Sequence, residues 1–244
     1  MTVTLQPQYR DLVTADITHA VAIISGGMDS TVLAYLLHYH GAALTLLSFN
    51  YGQRHRIELD FARRTATRLG AAHHVVDLTG ILPLLSGSAL TDAAVAVPDG
   101  HYTDASMRAT VVPNRNAIML DIAVARAISA RADAVAFGAH AGDHPIYPDC
   151  RPAFLDAFET MTLVANDGFA APGFRVLAPF IALSKADIAT LGAQLGVPFV
   201  DTWSCYRGGS AHCGTCGTCV ERREAFTLAG VPDPTPYGDS SGVG

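Results

Sequence analysis

The chain lacks any apolar run long enough to span a membrane. Residues 1–19 have no signal-peptide centre, because Gln6, Asp11 and Asp16 interrupt them. A cytoplasmic location is the resulting expectation. Basic residues are also short: 16 Lys and Arg face 22 Asp and Glu, a net charge of −6. That balance argues against a broad phosphate-binding surface, so no stable nucleic-acid partner and no membrane partner are expected. Two common nucleotide signatures are missing. No Gly-Lys-Ser/Thr ends a glycine loop, and no G-x-G-x-x-G follows the first strand-like run. Cysteine is scarce outside residues 205–219, which hold four of the five. In a reducing compartment, such crowding points to metal or redox chemistry rather than disulfides. Internal repeats are absent.

What is present is an alternation of short apolar runs and helical patterns, with hydrophobic residues at 50%. Strands are expected at Ala20–Ile24, Ala43–Phe49, His74–Leu78, Ala134–Gly138 and Val176–Phe180. Helices are expected near Asp29–His40, Arg56–Leu69, Asn116–Ala130 and Pro152–Leu163, and from a Ser184 cap to about Leu195. Such βα alternation predicts an α/β fold, a parallel sheet with helices on both faces. Residues 1–19 read as an extension without a role, 20–200 as the main α/β domain, 201–228 as a small cysteine-bearing segment, and 229–244 as a frayed, extended tail. Residues 86–113 break the rhythm with Gly87, Pro98, Gly100 and Pro113, so they are expected to be mobile or functional.

The run "AVAIISGGMDSTVLAYLL" joins a strand to a helix through Ser25-Gly26-Gly27. Glycines allow a sharp turn with backbone N–H groups close to a ligand. The helix that follows offers unpaired N–H groups and the positive end of its dipole. Paired glycines are also common in plain βα turns. Ser25, Asp29 and Ser30 favour a phosphate site, with Asp29 placed to hold Mg²⁺.

Cys205, Cys213, Cys216 and Cys219 form a thiolate set with a C-x2-C-x2-C core. Four thiolates suit tetrahedral, structural Zn²⁺; an iron–sulfur cluster and a redox pair are the alternatives. His212 is a rival ligand. Cys150, standing apart, reads as a small buried residue. Further polar groups gather at expected carboxyl ends of strands, where open α/β sheets bind ligands. They are Arg54 and His55 in "NYGQRH", Arg115 in "VPNRN", and His140, Asp143, His144, Tyr147, Asp149 and Arg151 in "GAHAGDHPIYPDCR". Pro113 sets the approach to Arg115, and Asn114 or Asn116 is expected to cap its helix. Lys185, at a positive helix start, suggests an anionic partner.

"SGGMDS" resembles the signature of the PP-loop ATP pyrophosphatases. Together with "YGQRH", "VPNRN", "YPDCR", "TWSCY" and the cysteine run, it resembles the 7-cyano-7-deazaguanine synthases over about residues 20–226. The resemblance implies an adenine nucleotide alpha hydrolase-like, Rossmann-like fold and a homodimer. It implies that ATP activates the carboxylate of 7-carboxy-7-deazaguanine, ammonia gives an amide, and a second ATP drives nitrile formation, releasing AMP and pyrophosphate. Ser25, Gly26, Gly27, Met28, Asp29 and Ser30 would bind ATP with Mg²⁺. Asp29, Arg115 and Lys185 would be catalytic. Arg54, His55, His140, Asp143, Tyr147, Asp149 and Arg151 would meet the substrate. The four cysteines would hold Zn²⁺. Asn114 stands where many relatives have glycine, and asparagine tolerates the left-handed geometry. His140, His144, Pro145 and Ile146 depart from the usual residues beside the base. A related ligase that stops at the amide, or serves DNA modification or a deazapurine natural product, is the alternative.

Overall fold

The sheet is built from strands whose successive residues enter opposite cores. In β1 (His19–Ile23), Ala20 and Ala22 pack on one face and Val21 on the other. β2 (Ala43–Asn50) sends Leu44 and Leu46 one way, Leu47 and Phe49 the other. This period of two, apolar on both sides, is what a strand covered on both faces requires. In this computed structural model residues 4–14, 16–84, 87–92, 94–100 and 108–238 are described. β3 (Ala72–Asp77), β4 (Ala134–Ala136) and β5 (Arg175–Leu177) complete a five-stranded sheet ordered β3-β2-β1-β4-β5. Every neighbouring pair is parallel. The expected α/β class is therefore the observed one. Strand order reverses between β1 and β4, which opens a crevice at their carboxyl ends.

Helices α2 (Met28–Tyr39), α3 (Glu58–Leu69) and α6 (Lys185–Gln194) cover one face, with Leu33, Leu36, Leu37, Ala62, Ala66, Ile188 and Leu191 buried. Helices α4 (Arg115–Ala130) and α5 (Pro152–Ala165) cover the other, through Leu120, Ala123, Ala127 and Phe158. Ser184 caps α6 as expected, in a reciprocal capping box with Asp187. Helix α7 (Gly217–Ala229), unforeseen in the sequence, packs Phe226 edge-on against Phe199, 4.8 Å between ring centres.

Three expectations need correction. Residues 1–19 are not without a role: Leu5, Tyr9, Val13 and Ile17 are buried in the first core, Tyr9 from the short helix α1 (Pro7–Arg10). Replacing Tyr9 by alanine is expected to cost about 3–5 kcal/mol, as for other large buried aromatics. Chemical denaturation checks this; a change under about 1 kcal/mol would return the segment to an ornament. The described part of the tail is not frayed. Asp233 pairs with Arg222, which is 1% exposed, and Tyr237 lies under the Arg223 guanidinium at 4.0 Å. Residues 239–244 lie outside the described residues. The described parts of 86–113 are anchored: Ala89 and Leu90 are fully buried, and Gly100 donates its N–H to the Thr215 carbonyl at 2.8 Å. Residues 86, 93 and 101–107 lie outside the described residues.

Candidate active site

The turn after β1 is shaped by contacts only glycine permits. Gly26 has φ +86°, and a Cβ there would stand 2.2 Å from the Glu58 carbonyl oxygen. Its own carbonyl accepts the Trp203 N–H at 2.8 Å, tying "TWSC" to the turn. The Ser25 hydroxyl accepts the Gly27 N–H at 3.2 Å and lies 3.1 Å from the Ser30 hydroxyl. No side chain caps α2. Its first-turn N–H groups are therefore beyond the intrahelical ladder and free for an anion. Met28 contributes only backbone here, because its side chain is 2% exposed within the core. Gly138, after β4, comes close to the same helix mouth: a Cβ there would be 3.3 Å from the Ser30 nitrogen.

This mouth opens into a cleft of about 230 Å³ at the crevice between β1 and β4. One wall carries Asp29, His140, Asp143, Lys185 and Glu221. The Lys185 ammonium lies 2.6 Å from Glu221 Oε2 and 3.4 Å from Asp29 Oδ2. Burial alone would depress that ammonium, but Asp29, Glu221 and Asp143 reverse the sign and hold it above the usual lysine range. Lys185 thus has its anionic partners within the chain itself. His140 accepts the Gly142 N–H through Nδ1, which leaves Nε2 as its protonated nitrogen, 3.6 Å from Asp143 and 3.9 Å from Asp29. Burial raises the Asp143 carboxyl, an effect partly offset by His140 and Lys185.

The second wall carries Tyr51, His55, Glu58, Arg115, Tyr147 and Tyr206. Asn114 does adopt the left-handed conformation at φ 56°, and so delivers Arg115 as the first residue of α4. Asn114 makes no side-chain cap; Asp149 instead accepts the Asn116 N–H at 3.2 Å. Burial opposes the Arg115 charge, but Tyr51, Tyr206, Tyr147 and Asp149 more than compensate. The Tyr147 hydroxyl sits 2.8 Å from Thr110. His55 is 3% exposed; burial and then the nearby Arg115 charge lower its pKa to about 3, so it is neutral. Cys150 is a buried thiol, as expected, and accepts from the Asn116 amide at 3.2 Å.

Three residues read from sequence as substrate contacts are placed otherwise. Arg54 donates to the carbonyls of Asp92 and Val95 and so anchors that segment. Arg151 donates to the carbonyls of His144 and Pro145. Asp149 serves α4, as above. None of the three lines the cleft, because each is consumed by backbone groups that need a partner. Conversely, sequence reading overlooked Glu58, Tyr206, Thr218 and Glu221, all of which line it. The only available signal was their nearness to "GQRH" and to the cysteines.

Cys205, Cys213, Cys216 and Cys219 hold their sulfurs within 4.8 Å of one another. Thiolates about 2.3 Å from a tetrahedral ion stand roughly 3.8 Å apart, so the set can bind a metal ion. The N–H groups of Thr215 and Cys216 point at Cys213 Sγ, at 3.5 and 3.3 Å, which holds that sulfur facing the other three. His212 is not a ligand here: its Nε2 accepts the Ser204 N–H at 3.0 Å. Helix α7 starts at this cluster and carries Thr218 and Glu221 into the cleft.

A solved U34-tRNA thiolase from Methanococcus maripaludis has a TM-score of 0.48 and 18% identity, over 96% of this chain and 80% of that one. An NMN synthetase from Francisella tularensis also scores 0.48, at 16% identity over 89% and 79%. Likeness at that level does not bear on function. Sequence similarity is far closer. A 7-cyano-7-deazaguanine synthase from Rhizobium leguminosarum bv. trifolii is 58% identical over 219 residues, 90% of this chain and 92% of that protein. One from Paracoccus denitrificans is 56% identical over 220 residues, 90% and 93% respectively. The family model described as queuosine biosynthesis protein QueC matches residues 19–230, and with that extent of match the chain belongs to this family.

Proposed function

We propose that the chain converts 7-carboxy-7-deazaguanine and ammonia to 7-cyano-7-deazaguanine with two molecules of ATP. The observation that carries the reading is 58% identity, over nine-tenths of the chain, to relatives that bear that activity in their names. The cleft supports it. ATP lies with its phosphates at the mouth of α2, where the N–H groups of Met28, Asp29 and Ser30 and the hydroxyls of Ser25 and Ser30 receive them. Lys185 faces the same phosphates, and Asp29 aligns it.

The substrate carboxylate attacks the α-phosphorus, pyrophosphate leaves, and an acyl adenylate forms. Ammonia adds to the acyl carbon, and AMP leaves with one carboxylate oxygen. The amide oxygen then attacks the α-phosphorus of a second ATP, and a second pyrophosphate leaves. Loss of AMP with that oxygen, and of the remaining nitrogen protons, leaves the nitrile. Arg115, held charged among tyrosines, meets the carboxylate and the charge developing as the adenylate forms. His140, Asp143 and Tyr147 border the base; Asp143 accepts from its N–H edge, as an unpaired donor there would be costly. His55 lines the substrate side.

Asp29 Oδ1 is buried with no hydrogen-bond partner among the described residues, a donor that fits Mg²⁺. When bound, that ion neutralises phosphate charge. The four-thiolate set fits Zn²⁺, which would be structural because four cysteines fill its shell. On the same reading the chain works as a cytoplasmic homodimer.

Incubation with ATP, ammonium and the 7-carboxy compound tests the proposal by mass spectrometry. The nitrile is expected, with two AMP formed per product. An end product at the amide mass, with one AMP, would replace this reading with the amide-forming alternative.

A further inference from the structure

Several ionisable groups of the cleft have no part in the reaction steps above, and Glu58 is one of them. Glu58 opens α3, is 7% exposed, and forms part of the second wall. The other cleft carboxylates, Asp29, Asp143 and Glu221, gather round Lys185 and His140. Glu58 makes no ion pair with a lysine or arginine among the described residues. Its Oε1 accepts from Gln53 Nε2 at 2.9 Å, and its Oε2 lies 3.4 Å from His55 Nε2. Gln53 is itself fixed, since it donates to the Phe49 carbonyl and accepts the Tyr51 N–H, both at 2.9 Å. The neutral His55 ring rests on Tyr206, 5.0 Å between centres. Burial raises the Glu58 pKa to about 8, while Gln53 and the more distant Arg115 restrain the rise. A rigid carboxyl with no lysine or arginine paired to it among the described residues, opening on a reaction cleft and titrating near neutrality, has the properties of a general base.

The proposed reaction needs such a base. Near neutral pH ammonia is present as ammonium, which has no lone pair. The new C–N bond takes both electrons from nitrogen, and the C–O bond to AMP leaves with its own pair. One proton must therefore leave nitrogen before the bond can form. We propose that Glu58 is the base that takes this proton from ammonium, with His55 and Gln53 holding its carboxylate toward the cleft. The bound ammonium becomes ammonia and Glu58 a carboxylic acid, which returns its proton to solvent. The excess proton on the amide nitrogen also passes to solvent after AMP departs. This assignment rests on the nitrile-forming reading above.

Hydroxylamine provides the test, because it is a much weaker base than ammonia and is already neutral at pH 7. It should intercept the acyl adenylate as a hydroxamate without help from Glu58. In Glu58→Gln the ammonia-dependent rate is expected to fall about 10²–10⁴-fold. The hydroxamate rate, and pyrophosphate exchange driven by the 7-carboxy substrate, should stay near those of the unaltered protein. Glu58→Asp, which keeps the carboxyl but withdraws it, should show the same preference more weakly. Equal loss with both nucleophiles, no loss with either, or loss of exchange in both variants would each overturn the assignment. Failure of the unaltered protein to form nitrile would instead overturn the reading on which it rests.

Discussion

Replacing Asp29 by alanine is expected to reduce turnover about 10²–10³-fold while the protein still binds the deazapurine. Asp29 is in the first turn of α2, at the mouth of the cleft, with one oxygen buried and unpartnered among the described residues and the other 3.4 Å from Lys185. Removing it takes away both the cation ligand and one of the two carboxylates nearest Lys185. The remaining pair, Lys185 with Glu221, keeps the ammonium paired but frees it to swing toward α7. The loss should therefore fall on kcat and on ATP binding rather than on the base-recognition side, where Arg115 and Tyr147 are untouched. Steady-state kinetics combined with calorimetric titration of the deazapurine separates the two. Asp29→Asn, similar in shape, should be nearly as slow. Retained turnover in either variant would remove Asp29 from the metal role.

Removal of the metal is expected to have the largest effect on folding. One zinc per chain should be found by elemental analysis. Structural zinc in small peptides contributes an apparent 10–16 kcal/mol or so at neutral pH, comparable to the whole stability of a typical domain. Cys205, Cys216 and Cys219 are fully buried, so stripping the ion leaves thiols that cannot be rehydrated in place. The damage should reach the cleft, because Tyr206, Thr218 and Glu221 are all carried by the cysteine-bearing segment. Chelator-treated protein, or a Cys216→Ser variant, should melt at a markedly lower temperature and lose substrate-dependent pyrophosphate release. A melting temperature unchanged after the metal is shown to be gone would end the structural assignment.

Local signals were legible where one residue type has one dominant use. The glycine turn followed by a helix was readable because glycine permits the positive φ that Gly26 takes, and a helix mouth favours an anion. The cysteines were readable because the spacing of Cys213, Cys216 and Cys219 brings three sulfurs close; the fold adds Cys205. Asn114 was readable as a left-handed residue for the same kind of reason. Arginines were not: Arg54, Arg115 and Arg151 stand in similar polar loops, yet only Arg115 reaches the cleft. The other two are spent on backbone carbonyls whose positions depend on loop paths that no spacing rule encodes. Glu58 was not singled out, because nothing local distinguishes it from any acid in a helix's first turn; its burial follows from α3 packing beneath the Gly26 turn.

The sequence by itself determined the α/β class, the parallel sheet, the glycine turn and the cysteine cluster. Each is written in patterns a few residues long, although the strand pairs they lead to join residues as distant as Ala20 and Ala134. Tertiary structure alone decided that Leu5, Tyr9, Val13 and Ile17 complete the core and that the cysteine-bearing segment forms part of the cleft wall. It also decided that Lys185 is held between Asp29 and Glu221, residues 156 and 36 positions away. The strand order places these distant loops at one crevice. Burial there then sets which charges pair and which, like Glu58, are left able to exchange a proton.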